Sequence, residues 1–300
     1  MAADPGGTTV AERRVGLRDL RVLALGVLLF GGGWPITKDA LQDATPLWFA
    51  VSRAGLAAMG AAVLLAALGR LAWPGRRDWP AVLAVGLLQL GSFFALTHIA
   101  LAVLPSGRIA VLSNVTIYWL VPLSVLVLGE RVSPRRWGAA ALALAGAGVL
   151  VGPWAMDWTR PGIVLANGLL IGAALLWSIA IITTRRLPPA RPMIELLPFC
   201  FAAALLVLVP LALLREPGGG IGVYALPHAA FVGFVAAPVG TWCVIEAGRR
   251  LPSTVASVGF MLGPVVGVAT GALWLGEAVG WDVWLGGALI AAGVAVAVRG

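Results

Sequence analysis

The stretch LPSGRIAVLSNVTIYWLVPLSVLVLGE, residues 104–130, returns as LPSTVASVGFMLGPVVGVATGALWLGE, residues 251–277. Leu104-Pro105-Ser106 corresponds to Leu251-Pro252-Ser253 and Leu128-Gly129-Glu130 to Leu275-Gly276-Glu277, each about 147 residues later, and Trp137 then corresponds to Trp284. One duplication accounts for all three. The copies differ in charge: Arg131, Arg135 and Arg136 follow the first Gly-Glu, whereas Ala278, Asp282 and Val283 hold those places in the second. Loops on the cytoplasmic side of a membrane collect Lys and Arg, so the two copies are expected to face opposite sides of a bilayer as an inverted repeat.

Composition requires the membrane. The 300 residues are 60% hydrophobic and 11% charged, with a mean hydropathy of +0.96, which leaves too little polar surface for a soluble fold. The net charge of +8 sits in short basic clusters between apolar runs, a pattern that sets membrane orientation rather than nucleic-acid binding. Asp4, Glu12 and Asp19 precede the first apolar run and no small-residue cleavage site follows, so this segment is expected to stay as a helix. The same acidic flanks argue against reading Arg13-Arg14 as a twin-arginine signal. Cys200 and Cys243 lie inside apolar runs and read as buried thiols, with no disulfide, metal or cofactor expected.

A spanning helix needs about 20 apolar residues, and turn signals cut the chain into ten such pieces. The expected spans are 20–37, 46–68, 80–101, 105–128, 134–152, 162–184, 193–214, 227–248, 252–275 and 281–298. The fold expected is therefore an all-α integral membrane protein of ten transmembrane helices in two inverted five-helix repeats. Residues 1–19 form a cytoplasmic segment, 20–152 the first repeat, 153–161 a periplasmic linker and 162–300 the second repeat. With both termini inside, sixteen arginines fall on the cytoplasmic side, while only Lys38, Arg160 and Arg215 fall outside. Five spans per repeat turn the second half upside down.

Trp48, Trp73, Trp79, Trp137, Trp154, Trp158, Trp281 and Trp284 fall near expected helix ends as interfacial residues, whereas Trp34, Trp119, Trp177, Trp242 and Trp274 lie deeper. Gly138, Gly146 and Gly148 in the fifth span and Gly286, Gly287 and Gly293 in the tenth allow backbones to approach closely. Gly263, Gly267 and Gly271 give the ninth span two overlapping GxxxG motifs, which read as packing within the bundle, or alternatively as a dimer seam.

Two halves, each ending in a proline-containing span, a Leu-Gly-Glu turn and a small-residue helix, resemble the EamA-type members of the drug/metabolite transporter superfamily. The resemblance runs over nearly the whole chain. It rests on Trp34 answered by Trp177, on Arg53 two turns into the second span, and on Leu128-Gly129-Glu130 and Pro264 with Leu275-Gly276-Glu277. Within the superfamily the chain looks most like the amino-acid exporters of the YddG type. It departs in one respect: Pro122 lies closer to Glu130 than Pro264 does to Glu277, so the fourth and ninth spans are expected to kink at different depths.

Polar residues inside spans are costly unless they face the bundle interior, which makes them candidates for a substrate pathway. Gly107, Val111, Asn114, Tyr118 and Pro122 share one face of the fourth span and Gln89, Ser92, Phe93 and Thr97 an adjoining face of the third. Cavity lining is one reading of both faces, interhelical hydrogen bonding the other. Trp34 precedes Pro35 and follows Gly31-Gly32-Gly33, a stretch expected to loosen the first helix. Trp177 and Ser178 answer it in the second half. The expected substrate-binding set is Trp34, Gln89, Ser92, Phe93, Asn114, Tyr118, Trp177 and Ser178.

Arg53 is expected to snorkel or to meet a carbonyl or carboxylate, with binding of a substrate carboxylate as the alternative, and Arg108 to snorkel near an outer end. Glu130 and Glu277 mark turns at opposite faces, where capping or gating contacts are expected, and Glu246 should pair with Arg249 or Arg250. His98 reads as hydrogen-bonded structure, and a proton-coupled mechanism would otherwise look there first. No Asp or Glu lies at the centre of an expected span, which argues against an antiporter of cationic drugs.

The resemblance and the inverted repeat together imply transport by alternating access around a site near the bilayer midplane, in the bacterial inner membrane and by a single copy of the chain. The implied substrates are neutral amino acids, aromatic and other large ones, moved outward; a proton-coupled exporter of drugs or other small metabolites is the alternative. Catalysis is not expected, because the chain has no Gly-x-Ser-x-Gly, no His-Glu-x-x-His and no paired aspartates.

Overall fold

A computed structural model describes residues 17–113, 116–129, 134–152, 154–250, 259–260 and 262–298, and at a few helical positions, Tyr118 among them, the backbone alone. The described residues form helices joined by turns, with one isolated β-bridge between Ala44 and Ile221. The helices are α1 (Leu17–Ala40), α2 (Pro46–Ala67), α3 (Trp79–Val103), α4 (Ser106–Leu112), α5 (Thr116–Leu128), α6 (Pro134–Leu150), α7 (Ile163–Arg186), α8 (Met193–Arg215), α9 (226–250), α10 (Leu262–Leu275) and α11 (Trp281–Val298). Helices α1, α2, α3, α7, α8 and the first 18 residues of α9 are long and apolar enough to cross a membrane; α5, α6 and α10 carry shorter apolar stretches.

Local sequence sets the ends. Proline occupies the first turn of α2, α3 and α9, where its missing N–H would have had no helical partner. The Leu-Gly-Glu motif is a helix stop: Gly129 and Gly276 follow α5 and α10 at φ 66° and 64°, left-handed backbone that a Cβ would strain.

Boundaries recur at one spacing. Helices start at 46 and 193, 79 and 226, 134 and 281, and α5 and α10 end at 128 and 275, each pair 147 residues apart. In α3 the hydrogen-bond register widens to a π-helix over Ala84–Ser92, and in α9 over Phe231–Ala236, starting again 147 residues apart. Such widened turns insert an extra residue and redirect the side chains around them.

Contacts repeat with partners exchanged. A Cβ on Gly86 of α3 would stand 2.7 Å from the Cys200 carbonyl oxygen of α8, and one on Gly233 of α9 would stand 3.1 Å from the Arg53 carbonyl oxygen of α2. A Cβ on Gly146 of α6 would meet the Gly286 carbonyl of α11 at 2.6 Å, and one on Gly293 would meet the Ala139 carbonyl at 2.7 Å. A Cβ on Gly31 of α1 would meet the Gly263 carbonyl of α10 at 2.5 Å, where Ser178 of α7 instead donates to the Thr116 carbonyl of α5 at 3.0 Å. In each case residue i meets j while the residue 147 positions from j meets the residue 147 positions from i.

Packing rests on small residues. Ala50, Ala54 and Ala57 of α2 bury one stripe against Leu196, Cys200, Ala204 and Leu208 of α8. Lipid is as apolar as these side chains, so close backbone approach and the dispersion it gives, rather than expulsion of water, hold the helices together.

One expectation is corrected. The glycine run and Pro35 do not loosen α1, which stays helical from Leu17 to Ala40; Pro35 only leaves the Gly31 carbonyl without its usual N–H donor. Within the expected fourth span α4 runs to Leu112 and α5 from Thr116, and Asn114 between them lies outside the described residues. Gly107 lies against Val268 of α10 and Val111 against Gly287 of α11.

Charges divide between the two ends of the bundle. One end gathers Lys38, Asp39, Asp43, Arg108, Glu216, His228, Glu277 and Asp282, and its hydrogen bonds tie α1 to α3 and α9, α2 to the turn after α8, and α4 to the turn before α11. The other end carries Arg70, Arg76, Arg77, Arg185, Arg186 and Arg191 around Asp78 and Glu195.

Candidate functional site

Arg53 lies seven residues after the first residue of α2, about 10 Å along the helix axis, and its guanidinium meets α3. The Arg53 Cζ stands 4.1 Å from the centre of the Phe94 ring, and Nη1 lies 3.5 Å from His98 Nε2. His98 is fully buried, stacked on Phe49 at 6.1 Å between ring centres. Its Nδ1 is 2.7 Å from the Phe94 carbonyl oxygen. A carbonyl only accepts, so Nδ1 carries the proton and Nε2 presents its lone pair to the guanidinium.

The aromatic surface continues inward. Phe94 and Phe93 rings are 6.2 Å apart, and Phe93 meets Trp177 of α7 edge to face at 4.7 Å. Edge-to-face pairing is a favourable ring geometry, and Phe93 and Phe94 are themselves buried in the main apolar cluster. Trp177, Trp34, Gln89 and Ser92 are all half-buried.

The other expected positions separate by role. Ser92 donates to the Leu87 carbonyl at 2.8 Å, within the widened turn of α3. Gln89 sits in that same turn and makes no hydrogen bond to a described residue. Ser178 is buried and donates to Thr116 and Ala174 carbonyls, so it fastens α7 to α5 and holds no spare donor. Thr97 is likewise spent on the Phe93 carbonyl at 2.7 Å. Trp34 packs against both main apolar clusters and makes no ring contact with a described aromatic residue. The register fixed by Gly31 and Ser178 pairs Trp34 with Ile181, so Trp177 is not its counterpart. Asn114, the Tyr118 side chain and Glu130 lie outside the described residues.

Glu277 caps a helix. Its carboxylate accepts the Ser106 N–H at 2.7 Å, the Ser106 hydroxyl at 2.8 Å and the Gly107 N–H at 3.1 Å, satisfying donors that the start of α4 leaves open. Glu216 does the same for Leu47 and Trp48 of α2 at 3.1 and 3.3 Å. Lys38 caps the opposite kind of end, donating to the Leu101, Ala102 and Leu104 carbonyls at the close of α3.

Arg108 does not snorkel. It is 7% exposed, donates to the Leu150 and Ala155 carbonyls, and pairs with Asp282 at 2.6 Å, a partner 174 residues away that no local pattern announces. Asp39 forms a second cluster nearby, accepting from the Tyr224 hydroxyl at 2.7 Å and Gln42 at 2.6 Å, with His228 Nε2 at 3.0 Å. The Asp39 hydrogen bond pushes the Tyr224 phenol above its usual range.

A separate apolar groove of about 270 Å³, lined by Val111, Pro264, Val268, Val283, Trp284 and Gly287, lies between α4, α10 and α11. Among its lining, Val111 belongs to the candidate face of the fourth span, and Trp284 is 57% exposed there.

The EamA-like transporter family matches this chain twice, over residues 20–152 and 164–299. A Bacillus subtilis (strain 168) protein described as "Uncharacterized transporter YdeK" is 27% identical over 279 residues, 91% of this chain and 92% of that one. A Streptantibioticus cattleyicolor protein described as "Probable terminal-alkyne amino-acid exporter" is 25% identical over 277 residues, 91% and 90% of the two chains. A solved crystal structure shares the fold at a TM-score of 0.63 and 20% identity, over 93% of this chain and 97% of that one. Two family matches on an all-helical multi-pass membrane chain identify it: the protein belongs to the EamA-like transporter family.

Proposed function

We propose that this protein exports neutral amino acids, aromatic and other large ones, across the bacterial inner membrane by alternating access between two inverted repeats of five spans each. The observation that carries this reading is the run Arg53–Phe94–Phe93–Trp177, a cation at one end of an aromatic surface formed by α2, α3 and α7. The exchanged contacts at the 147-residue spacing support two halves related by a two-fold axis, and an odd number of spans in each half lays that axis in the membrane plane. The arginine-rich end is the cytoplasmic one, with both chain termini there. Its opposite end, closed by the Asp39, Glu277 and Arg108 contacts, is the periplasmic gate in its shut state. One relative is described as an amino-acid exporter, which agrees with a zwitterionic cargo.

Uptake of radiolabelled phenylalanine, tryptophan, threonine, methionine and a cationic dye into proteoliposomes, with and without a pH gradient, tests the proposal. Saturable amino-acid uptake, strongest for the aromatic ones, is expected. Movement of the dye alone, driven by the gradient, would replace it with a proton-coupled multidrug exporter.

A further inference from the structure

Arg53 lies two turns inside its span and Arg108 in the first turn of α4, and the structure treats the two arginines differently. Arg108 has a carboxylate at 2.6 Å and two carbonyls, so both its charge and its donors are met. Arg53 has no carboxylate within 4.0 Å among the described residues; it has the face of Phe94 and one imidazole nitrogen. A guanidinium carries five N–H donors in a planar fork, and His98 Nε2 takes one of them at 3.5 Å. A cation at this depth with no carboxylate beside it among the described residues is a candidate contact for a ligand.

The geometry selects the ligand. A planar fork pairs best with a carboxylate, through two parallel N–H···O bonds. Phe94 covers one face of the guanidinium and leads to Phe93 and Trp177, so the group attached to the carboxylate meets flat apolar surface. His98 holds the fork: its Nδ1 proton is spent on the Phe94 carbonyl, which leaves Nε2 as an acceptor for one guanidinium N–H.

We propose that Arg53 is the carboxylate anchor of the substrate site, with His98 as its positioning residue, and that the ligand is a monocarboxylate bearing a large apolar or aromatic group. The proposal rests on the transport reading above and adds the chemical group by which the cargo is recognised. Neither Arg53 nor His98 then carries a proton in the cycle.

The test compares phenylalanine, phenylalaninamide, phenethylamine and 3-phenylpropionate, both for uptake into proteoliposomes and for thermal stabilisation of the purified protein. Wild type is expected to prefer the two carboxylates by about tenfold or more. Arg53→Met should abolish that preference, Arg53→Lys should retain part of it, and His98→Gln should keep more of it than His98→Leu. Equal use of acid and amide by wild type overturns the anchor without any variant, as does an Arg53→Met protein with wild-type phenylalanine uptake. Wild type that moves no amino acid, yet is stabilised by 3-phenylpropionate only when Arg53 is present, overturns the transport reading and leaves the anchor standing. Neither uptake nor stabilisation overturns both.

Discussion

Gly86 lies directly against the carbonyl of Cys200, so that a Cβ at this glycine would stand 2.7 Å from that oxygen, and Gly233 repeats the contact on Arg53 with the halves exchanged. The Cβ atoms of Ala203 and Leu56 stand closer still, at 2.6 and 2.5 Å, and neither they nor the carbonyls are the far end of a flexible side chain. Gly86→Val and Gly233→Val should each destabilise the purified protein by about 1–3 kcal/mol, read as a lowered melting temperature in detergent. Gly168→Ala in α7, where a Cβ meets nothing within 4 Å, should be neutral or slightly stabilising.

The Arg108–Asp282 pair is buried on both sides, so removal of one partner strands the other. Arg108→Met and Asp282→Leu should each cost about 3–5 kcal/mol, and the double variant should recover a large part of that loss. Additive losses in a thermal double-mutant cycle would show that the pair is not the coupled unit its 2.6 Å separation implies.

Glu277 holds the first turn of α4 through three donors. Glu277→Ala should lose about 0.5–2 kcal/mol, as for a lost helix cap, and Glu277→Gln less, since one acceptor oxygen remains. Protease sensitivity of the turn after α10 provides a local readout, and equal behaviour of the two variants would sink the capping role.

At the arginine-rich end Asp78 accepts N–H groups from Gly75, Ala190 and Arg191. Burial pushes its pKa up, but these donors and the Arg191 charge outweigh burial and hold it below the ordinary 3.8. A lowered folded value means stability that is complete above 3.8 and lost as the pH falls through the folded pKa. Asp78→Asn should therefore melt earlier than wild type at neutral pH, and the gap should close under acid conditions well below 3.8.

Much of this architecture is legible in the chain because a bilayer is a demanding solvent: about 20 apolar residues per crossing and prolines in first turns mark segments such as Pro46–Ala67 without any tertiary knowledge. The Leu-Gly-Glu motif recurs at 128–130 and 275–277, and its glycines Gly129 and Gly276 both stand in left-handed backbone that ends a helix. The π-helical turns of α3 and α9 leave no pattern in residue type, since only the hydrogen-bond register changes. Arg108 with Asp282 and Glu277 with Ser106 join residues more than 170 apart, beyond any local periodicity. At the candidate site, Arg53, His98, Phe93 and Trp177 stand out in the sequence by depth, whereas Phe94 and Phe49 are hidden there as ordinary apolar residues. They acquire a role only when a cation and an imidazole pack on them.

Alternating access is tested most directly by counterflow. Proteoliposomes loaded with unlabelled phenylalanine and diluted into a trace of labelled phenylalanine should accumulate label transiently above equilibrium, because the unlabelled internal pool competes with entered label for the inward-facing carrier. Label that rises smoothly to equilibrium, at a rate indifferent to the internal pool, would contradict a carrier built from two rocking halves and point to an open pore.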